Sequence, residues 1–151
     1  MIYKDITQTI GNTPLVKLNN IPSDDMADIY VKVESFNPSF SVKDRAALYI
    51  LDAAEKEGLL KKGDTIIEPT SGNTGIAMAM IGAARGYEVI LVMSETMSLE
   101  RRSIMEAFGA KIILTNKDLG TQGSVDVAIK YVEEEGYFMP NQFANENNLI
   151  A

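Results

Sequence analysis

The sequence predicts an α/β fold with three layers, αβα, around a mostly parallel sheet. From residue 65 onward, short apolar runs rich in β-branched residues alternate with helical patterns. Strands that alternate with helices along a chain usually form a parallel sheet covered on both faces. The chain has 151 residues, 46% of them hydrophobic, which suffices for one domain with a buried core.

The N-terminal third is less regular. Residues 5–10 are predicted as a short helical or turn segment, and two strand-like runs follow at residues 15–18 and 29–33. The first long helix is predicted over residues 42–57, because apolar residues recur there on one helical face. Gly58 is its predicted stop.

Strands and helices alternate regularly in the remainder of the chain. Each predicted helix ends at a glycine, the residue that most readily adopts the left-handed conformation of a helix C-cap. In chain order the predicted elements are strand 65–68, helix 73–85, strand 88–93, helix 98–108, strand 111–115, helix 123–135 and strand 137–139.

The charge of the chain argues against polyanionic partners. Acidic residues outnumber basic ones by 21 to 14, the net charge is -7, and no cluster of Lys and Arg stands out. We therefore expect no nucleic-acid partner and no membrane partner. The longest apolar run, residues 76–84, is too short to span a bilayer, and the first residues lack the apolar stretch of a signal peptide. The expected location is the cytoplasm.

The chain has no cysteine and no histidine. Disulfides, cysteine nucleophiles, Ser-His-Asp triads and zinc sites built from cysteine or histidine are thereby excluded, and no metal site is predicted. Proton transfer must use Lys, Asp, Glu or Tyr, or a cofactor.

Lys43 follows an Asn37-Pro38 turn at the start of the first predicted helix. Ser41 and Asp44 have the spacing of a capping box, which places Lys43 at the second helical position. The positive end of the helix dipole disfavours an ammonium there, so the amine should lose its proton readily and suit Schiff-base chemistry. A solvated lysine in a first helical turn is the alternative that this segment alone leaves open.

The loop at residues 70–75, Thr-Ser-Gly-Asn-Thr-Gly, joins a predicted strand to a helix. Small hydroxyl residues and glycines at a helix N-terminus offer backbone N–H groups to an anion such as a carboxylate or phosphate. The loop matches neither a P-loop nor the G-x-G-x-x-G dinucleotide motif. A tight connection with Ser71 as N-cap is the alternative. Gln142 follows a strand predicted at the same sheet edge, so its side chain could reach a ligand held there.

Several segments together resemble the cysteine synthase (O-acetylserine sulfhydrylase) family, pyridoxal-phosphate enzymes of fold type II, the tryptophan synthase β-like group. They are residues 37–45, 68–75, 96–102 and 141–143, in the family's order and spacing. The resemblance implies that pyridoxal 5'-phosphate is the cofactor, that Lys43 is the catalytic lysine that binds it, and that Asn73 contacts its ring oxygen. The implied substrate-binding residues are Thr70, Ser71, Gly72, Asn73, Thr74 and Gln142.

The resemblance also implies a reaction and partners. The reaction is β-replacement, in which O-acetyl-L-serine and sulfide give L-cysteine. The siblings cystathionine β-synthase and cysteine β-lyase are alternatives, because the matched motifs handle cofactor and carboxylate more than the nucleophile. A noncatalytic fragment or interaction module is an alternative of another class. Expected partners are an amino-acid substrate, a second copy of the enzyme and the C-terminal peptide of serine acetyltransferase.

Members of this family are about twice as long as this chain. We therefore expect residues 1–151 to be the N-terminal part of a longer enzyme, with residues 35–145 as its N-terminal α/β domain. The strands in residues 13–34 would pair with the sheet of a further domain, so here they should be exposed or paired differently. The family's glycine-rich phosphate loop has no counterpart in residues 1–151. The chain alone is accordingly expected to hold the cofactor weakly and to be inactive.

Overall fold

The computed structural model describes residues 1–23, 25–70 and 72–151. Its strands are β1 (Leu15–Lys17), β2 (Tyr30–Lys32), β3 (Thr65–Pro69), β4 (Glu88–Ser94) and β5 (Lys111–Thr115). Its α-helices are α1 (Lys43–Lys56), α2 (Asn73–Arg85), α3 (Leu99–Ala107), α4 (Gly120–Glu135) and α5 (Asn147–Ile150).

Strands β3, β4 and β5 form a parallel sheet in that order. Ile67 lies opposite Ile90, and Val92 lies opposite Ile113. The middle strand β4 has an almost unbroken apolar and β-branched sequence, as expected for a parallel strand buried on both faces. The carboxyl ends of the three strands therefore open on one edge of the sheet.

Two separate groups of buried side chains lie on opposite faces of this sheet. On one face, Leu91 belongs to the core that includes Leu51 of α1, Met78 of α2 and Met105 near the end of α3. On the other face, the buried apolar residues of the three strands and of α4 are Ile67, Ile90, Val92 and Ala128. Alternating side chains of one strand thus serve both cores, which confirms the predicted three-layer αβα architecture.

Helix α2 is the most deeply buried helix of the described chain, with residues 74–82 all buried. Gly82 permits this approach, because a β-carbon there would lie 2.3 Å from Cγ2 of Val89. Gly86 ends the helix in the left-handed conformation, with φ of 80°, as its position predicted. Among the described helices, none has the length and apolarity that a membrane crossing requires.

The end of the α/β unit differs from the prediction in two ways. Helix α4 begins at Gly120 rather than at residue 123, because the Asn116 side chain accepts from the Asp118 amide and starts a 3-10 turn that continues into the helix. Residues 137–139, predicted as a strand, form only one isolated bridge, between Phe138 and Ile66. Pro140 follows at once and has no amide with which to extend the pairing.

Strands β1 and β2 lie apart from the parallel sheet. They pair with each other in antiparallel register, with Val16 opposite Val31, and form a two-stranded sheet of their own. All of their residues are exposed, including Leu15 and Tyr30. The sequence predicted that these strands would be exposed or paired with something other than the parallel sheet. Their pairing with the sheet of a further domain remains a prediction.

Candidate active site

A cleft of about 470 Å3 opens at the carboxyl end of the parallel sheet. This is the edge at which α/β proteins commonly bind their ligands. The cleft brings together every described residue of the predicted site. Those lining residues are Lys43, Thr70, Gly72, Asn73, Thr74 and Gln142. Ser71, the remaining predicted residue, lies outside the described residues.

Lys43 is the first residue of α1, whereas the sequence predicted it at the second helical position. Val42 takes the N-cap position that the capping box gave to Ser41, although Val42 itself already has helical backbone angles. The Ser41 hydroxyl nevertheless accepts a hydrogen bond from the Lys43 amide at 3.1 Å. Ser41 therefore still satisfies one amide at the helix start.

The other half of the predicted capping box is wrong. The Asp44 carboxylate does not turn back to Ser41 but accepts from the amide of Ser39, at 2.7 Å, and from its hydroxyl. The reason is the left-handed backbone of Phe40, with φ of 62°, which folds the preceding turn over Asp44. Burial raises the pKa of the fully buried Asp44, and the two hydrogen bonds from Ser39 oppose that rise. Asp44 thus fixes the turn that leads into Lys43.

An ion pair fixes α1 from its other side. The Glu34 carboxylate accepts from Arg45 Nε at 2.8 Å and from the Thr13 hydroxyl at 2.6 Å. These bonds, and a further one from Asn37, lower the pKa of Glu34 to about 2. The backbone around Lys43 is consequently held by a carboxylate on each side.

Lys43 is half-buried and lines the cleft. In the described chain, its Nζ has no hydrogen-bond or ion-pair partner. The other charged residues among the described lining are Arg101 and Lys117, and that lining contains no carboxylate. The cleft is thus locally positive in a chain with a net charge of -7, a setting that favours anionic ligands.

Helix α2 begins at the floor of the cleft with Gly72 as its N-cap. The amides of Asn73 and Thr74 have no acceptor among residues that the structure describes, whereas those of Gly75 and Ile76 bond to the Gly72 carbonyl. Open amides and the positive end of the helix dipole together favour a negatively charged group at this position. The loop for which an anion cradle is predicted therefore lines the same cleft as Lys43.

Gln142 reaches α2 from the far end of the sequence. The Thr74 hydroxyl donates to Gln142 Oε1 at 2.5 Å. Behind Gln142, the fully buried Glu68 of β3 accepts from the amides of Asn141, at 2.9 Å, and Gln142, at 3.1 Å. Burial raises the pKa of Glu68 to about 7, although these amides and the Gln142 side chain oppose the rise.

A close approach of backbone to side chains shapes the start of α2. A β-carbon on Gly75 would lie 2.7 Å from Cγ2 of Thr70 and 2.9 Å from Cε of Met105. Only glycine permits that contact without displacement of its neighbours. The N-terminus of α2 can therefore lie directly against the end of β3.

Comparison with known proteins decides the family. A family model described as "Pyridoxal-phosphate dependent enzyme" matches residues 6–151. The chain belongs to this family. The resemblance found in its motifs is thereby confirmed.

Relatives within the pyridoxal-phosphate enzymes include curated cysteine synthases. The one from Staphylococcus aureus is 52% identical over 144 residues, which are 95% of this chain and 46% of that protein. The one from a Flavobacterium species is 49% identical and covers 99% of this chain and 48% of that protein. The chain thus spans about half the length of the curated relatives it matches.

Solved structures of fold type II pyridoxal-phosphate enzymes share this fold. An O-ureido-L-serine synthase superposes with a TM-score of 0.94 at 48% identity, over 97% of this chain and 46% of that one. A cysteine synthase from Entamoeba histolytica gives 0.92 at 47% identity, over 97% and 45%. A hydrogen sulfide-producing enzyme from Fusobacterium nucleatum gives 0.90 at 46% identity, over 97% and 48%. The predicted fold class is confirmed.

The donors in the cleft fit the ring end of pyridoxal phosphate. An amine without a partner, that of Lys43, is the group that an aldehyde requires. The volume of the cleft lies within the range of about 300 to 1,000 Å3 typical of cofactor sites. The described lining also has no carboxylate to compete for the amine.

Sequence reasoning overlooked several residues of this site. Glu68 was quoted only as part of a motif, although a lone carboxylate in the apolar strand β3, directly before the anion loop, was a usable signal. Lys117 and Thr121 also line the cleft, as does Arg101, which the sequence alone had suggested to be part of a solvated helix face. They follow other strands at the same sheet edge, which is the signal that could have found them.

Proposed function

We propose that this chain forms the N-terminal part of a cysteine synthase, which converts O-acetyl-L-serine and sulfide into L-cysteine and acetate. One observation carries the proposal: the Lys43 amine, without a partner in the described chain, opens on the same cleft as the N-terminus of α2. The cysteine synthases among its relatives support the choice of reaction.

Lys43 and Asn73 are the proposed cofactor residues. Lys43 would bind the aldehyde carbon of pyridoxal phosphate through Nζ, and Asn73 would donate to its ring oxygen. Pyridoxal phosphate supplies, when bound, an electron-poor ring that stabilises negative charge at an amino acid's α-carbon. Once the substrate amine has displaced Lys43 Nζ from the aldehyde carbon, the freed amine would take the proton from the α-carbon, and it would return that proton after hydrosulfide has replaced acetate at the β-carbon.

The substrate carboxylate is proposed to bind at the start of α2. The open amides of the first turn and the helix dipole supply most of the attraction, and small hydroxyl and amide side chains orient the anion. Positioned in this way, the amino acid places its α-carbon near Lys43 and away from bulk water. The residues assigned to this role are Thr70, Ser71, Gly72, Asn73, Thr74 and Gln142.

Covalent trapping tests the role of Lys43. The full-length protein is incubated with pyridoxal phosphate and reduced with borohydride, and the labelled residue is identified by mass spectrometry. We expect the label on Lys43, and loss of both label and cysteine formation in Lys43→Ala. Lys130→Ala is the matched control, because Lys130 is an exposed lysine on α4. A label elsewhere, or an active Lys43→Ala variant, would contradict the proposal.

The 151-residue chain alone is proposed to hold the cofactor weakly, since residues 1–151 contain no glycine-rich phosphate loop of the family's kind. Visible absorbance titration measures this directly. Tight, stoichiometric binding to these 151 residues would refute the expectation while leaving the role of Lys43 intact.

A sibling activity is the second candidate. One structural relative is a hydrogen sulfide-producing enzyme, which favours a cysteine β-lyase, and a cystathionine β-synthase shares the same motifs. Product analysis separates them: O-acetyl-L-serine plus sulfide, L-cysteine alone, and serine plus homocysteine are supplied in parallel. Faster sulfide release from L-cysteine than cysteine formation would favour the lyase.

Partners and location complete the proposal. We infer a homodimer in the cytoplasm that binds the C-terminal peptide of serine acetyltransferase, by analogy with the family. Sedimentation and peptide titration test the two interactions. Saturable peptide binding without any turnover would favour the interaction-module alternative instead.

A further inference from the structure

Glu68 is a buried carboxylate that has no role in the proposed reaction or in substrate binding. It lies on β3 between Ile67 and Pro69, and no part of it is exposed. A charged group at such a depth is strongly disfavoured unless hydrogen bonds compensate for the lost water. Among the described residues, the hydrogen bonds that Glu68 accepts all come from one segment, Asn141 and Gln142.

Those bonds fix the conformation of a single turn. Each carboxylate oxygen accepts one of two consecutive amides, Oε2 that of Asn141 and Oε1 that of Gln142. Asn141 has a φ of 50°, in the left-handed region, which asparagine tolerates better than most residues other than glycine, and the bonds to Glu68 add to that local preference. The Gln142 carbonyl also accepts from the Asn148 side chain at 2.9 Å, so its backbone is held at both ends.

The held backbone determines where the Gln142 side chain lies. Its Oε1 accepts from the Thr74 hydroxyl in the first turn of α2. A continuous chain of hydrogen bonds therefore runs from the buried carboxylate to the wall of the cleft. Gln142 has 8% of its surface exposed, so little freedom remains for another rotamer.

We propose that Glu68 is a positioning residue: it holds the Asn141–Gln142 turn so that Gln142 orients Thr74 for an amino-acid carboxylate at the start of α2. The carboxylate ligand rests on the proposed function. The placement of Gln142 by Glu68 does not, since it is a property of the ligand-free chain.

Glu68→Gln is the informative substitution. It keeps the shape of the side chain but replaces one acceptor oxygen by an NH2 group that faces a backbone amide. The experiment uses the 15N-labelled full-length protein. We expect the backbone amides of Asn141 and Gln142 to exchange hydrogen about tenfold faster or more in the variant than in the wild type. We also expect the Gln142 side-chain amide signal to move toward its solvent-exposed position.

Ligand affinity is measured on the same samples loaded with pyridoxal phosphate. L-Alanine is the probe, because it carries the carboxylate and the amine but no leaving group. Glu68→Gln should weaken its binding about tenfold. Gln142→Ala should weaken it similarly while leaving Glu68 unchanged, which guards against a variant that merely folds poorly.

Ile67→Val is the matched control. Ile67 is equally buried on the same strand but belongs to the core on the opposite face of the sheet. It should lower stability and leave both the Gln142 signal and L-alanine affinity unchanged.

The outcomes separate the two proposals. If Glu68→Gln leaves either the Gln142 signal or the L-alanine affinity of a binding-competent protein unchanged, the positioning role is wrong. If the wild-type protein does not bind L-alanine, the proposed amino-acid site is wrong, and the Gln142 signal alone then decides the role of Glu68.

Discussion

The hydroxyl of Thr74 donates to Oε1 of Gln142 at 2.5 Å and so joins two residues that lie 68 positions apart in the sequence. Thr74→Val keeps the shape of the side chain but removes this donor. Because Gln142 is buried, its oxygen would be left without a partner, and we expect the free energy of unfolding to fall by about 1–3 kcal/mol. Urea denaturation measures the loss.

Thr74→Ser provides the control for that prediction. Serine retains the hydroxyl, so most of the stability should return. Equal destabilisation by serine and valine would show that the lost methyl group or local packing, and not the hydrogen bond, was responsible.

Glu68 should make stability depend on pH near neutrality. Its folded pKa of about 7 lies above the ordinary value of 4.5, so the native state binds the proton more tightly than the unfolded state does. This contribution is complete below pH 4.5 and is lost as the pH rises through 7, an effect of about 3 kcal/mol. Urea denaturation of the wild type and Glu68→Gln at pH 5 and pH 8 isolates it.

In Glu68→Gln that contribution is absent, because glutamine does not titrate. The difference in unfolding free energy between the two proteins should therefore change sharply between pH 5 and pH 8. A constant difference would mean that Glu68 does not titrate in this range.

Glu34 should change the pH dependence of stability in the opposite direction to Glu68. Its pKa is lowered to about 2, so the stability it provides is present above the ordinary value of 4.5 and is lost as the pH falls through 2. Both side chains of the Glu34–Arg45 pair retain some exposure, 21% and 25%, so screening reduces the effect. We expect Glu34→Gln to destabilise the chain by about 1–3 kcal/mol at pH 7 and by less at pH 3, measured by thermal melting.

Glu134→Gln is the control for Glu34. Glu134 lies 3.8 Å from Lys130 in an exposed pair on α4, and such pairs contribute about 0–1 kcal/mol. A loss as large as that of Glu34→Gln would show that the melts respond to net charge in general.

Gly75→Ala should destabilise the start of α2. The added β-carbon would lie 2.7 Å from Cγ2 of Thr70, so we expect a loss of about 1–3 kcal/mol from overpacking. Thr70→Ser removes that methyl group and should recover part of the loss in the double variant. Additive effects in the four-protein cycle, measured by urea denaturation, would contradict the proposed clash.

Most of the fold could be predicted from local patterns. Strand β5 and helix α2 match their predicted bounds, because apolar periodicity and a closing glycine define such elements within a short stretch of sequence. The clustering of the described site residues also followed from a general rule, that the carboxyl ends of parallel strands meet at one edge.

The remaining features depend on loop geometry that a local pattern does not encode. The partner of Asp44 changed from Ser41 to Ser39 because Phe40 adopts a left-handed backbone, which its residue type does not favour. The bonds of Glu68 required knowledge that residues 141 and 142 return beside β3. Both concern buried carboxylates whose partners lie in turns.

The single bridge between Ile66 and Phe138 has a consequence for aggregation. Phe138 exchanges two hydrogen bonds with the outer edge of β3, its amide with Thr65 and its carbonyl with Ile67, at 3.0 and 2.9 Å. That edge belongs to an apolar strand, and an uncovered edge of this kind is a template for pairing between molecules. During synthesis β3 emerges long before Phe138 does, so the edge stays open until the final stretch of the α/β unit has been made. Chains stalled before residue 138 would accordingly be the forms most in need of a chaperone.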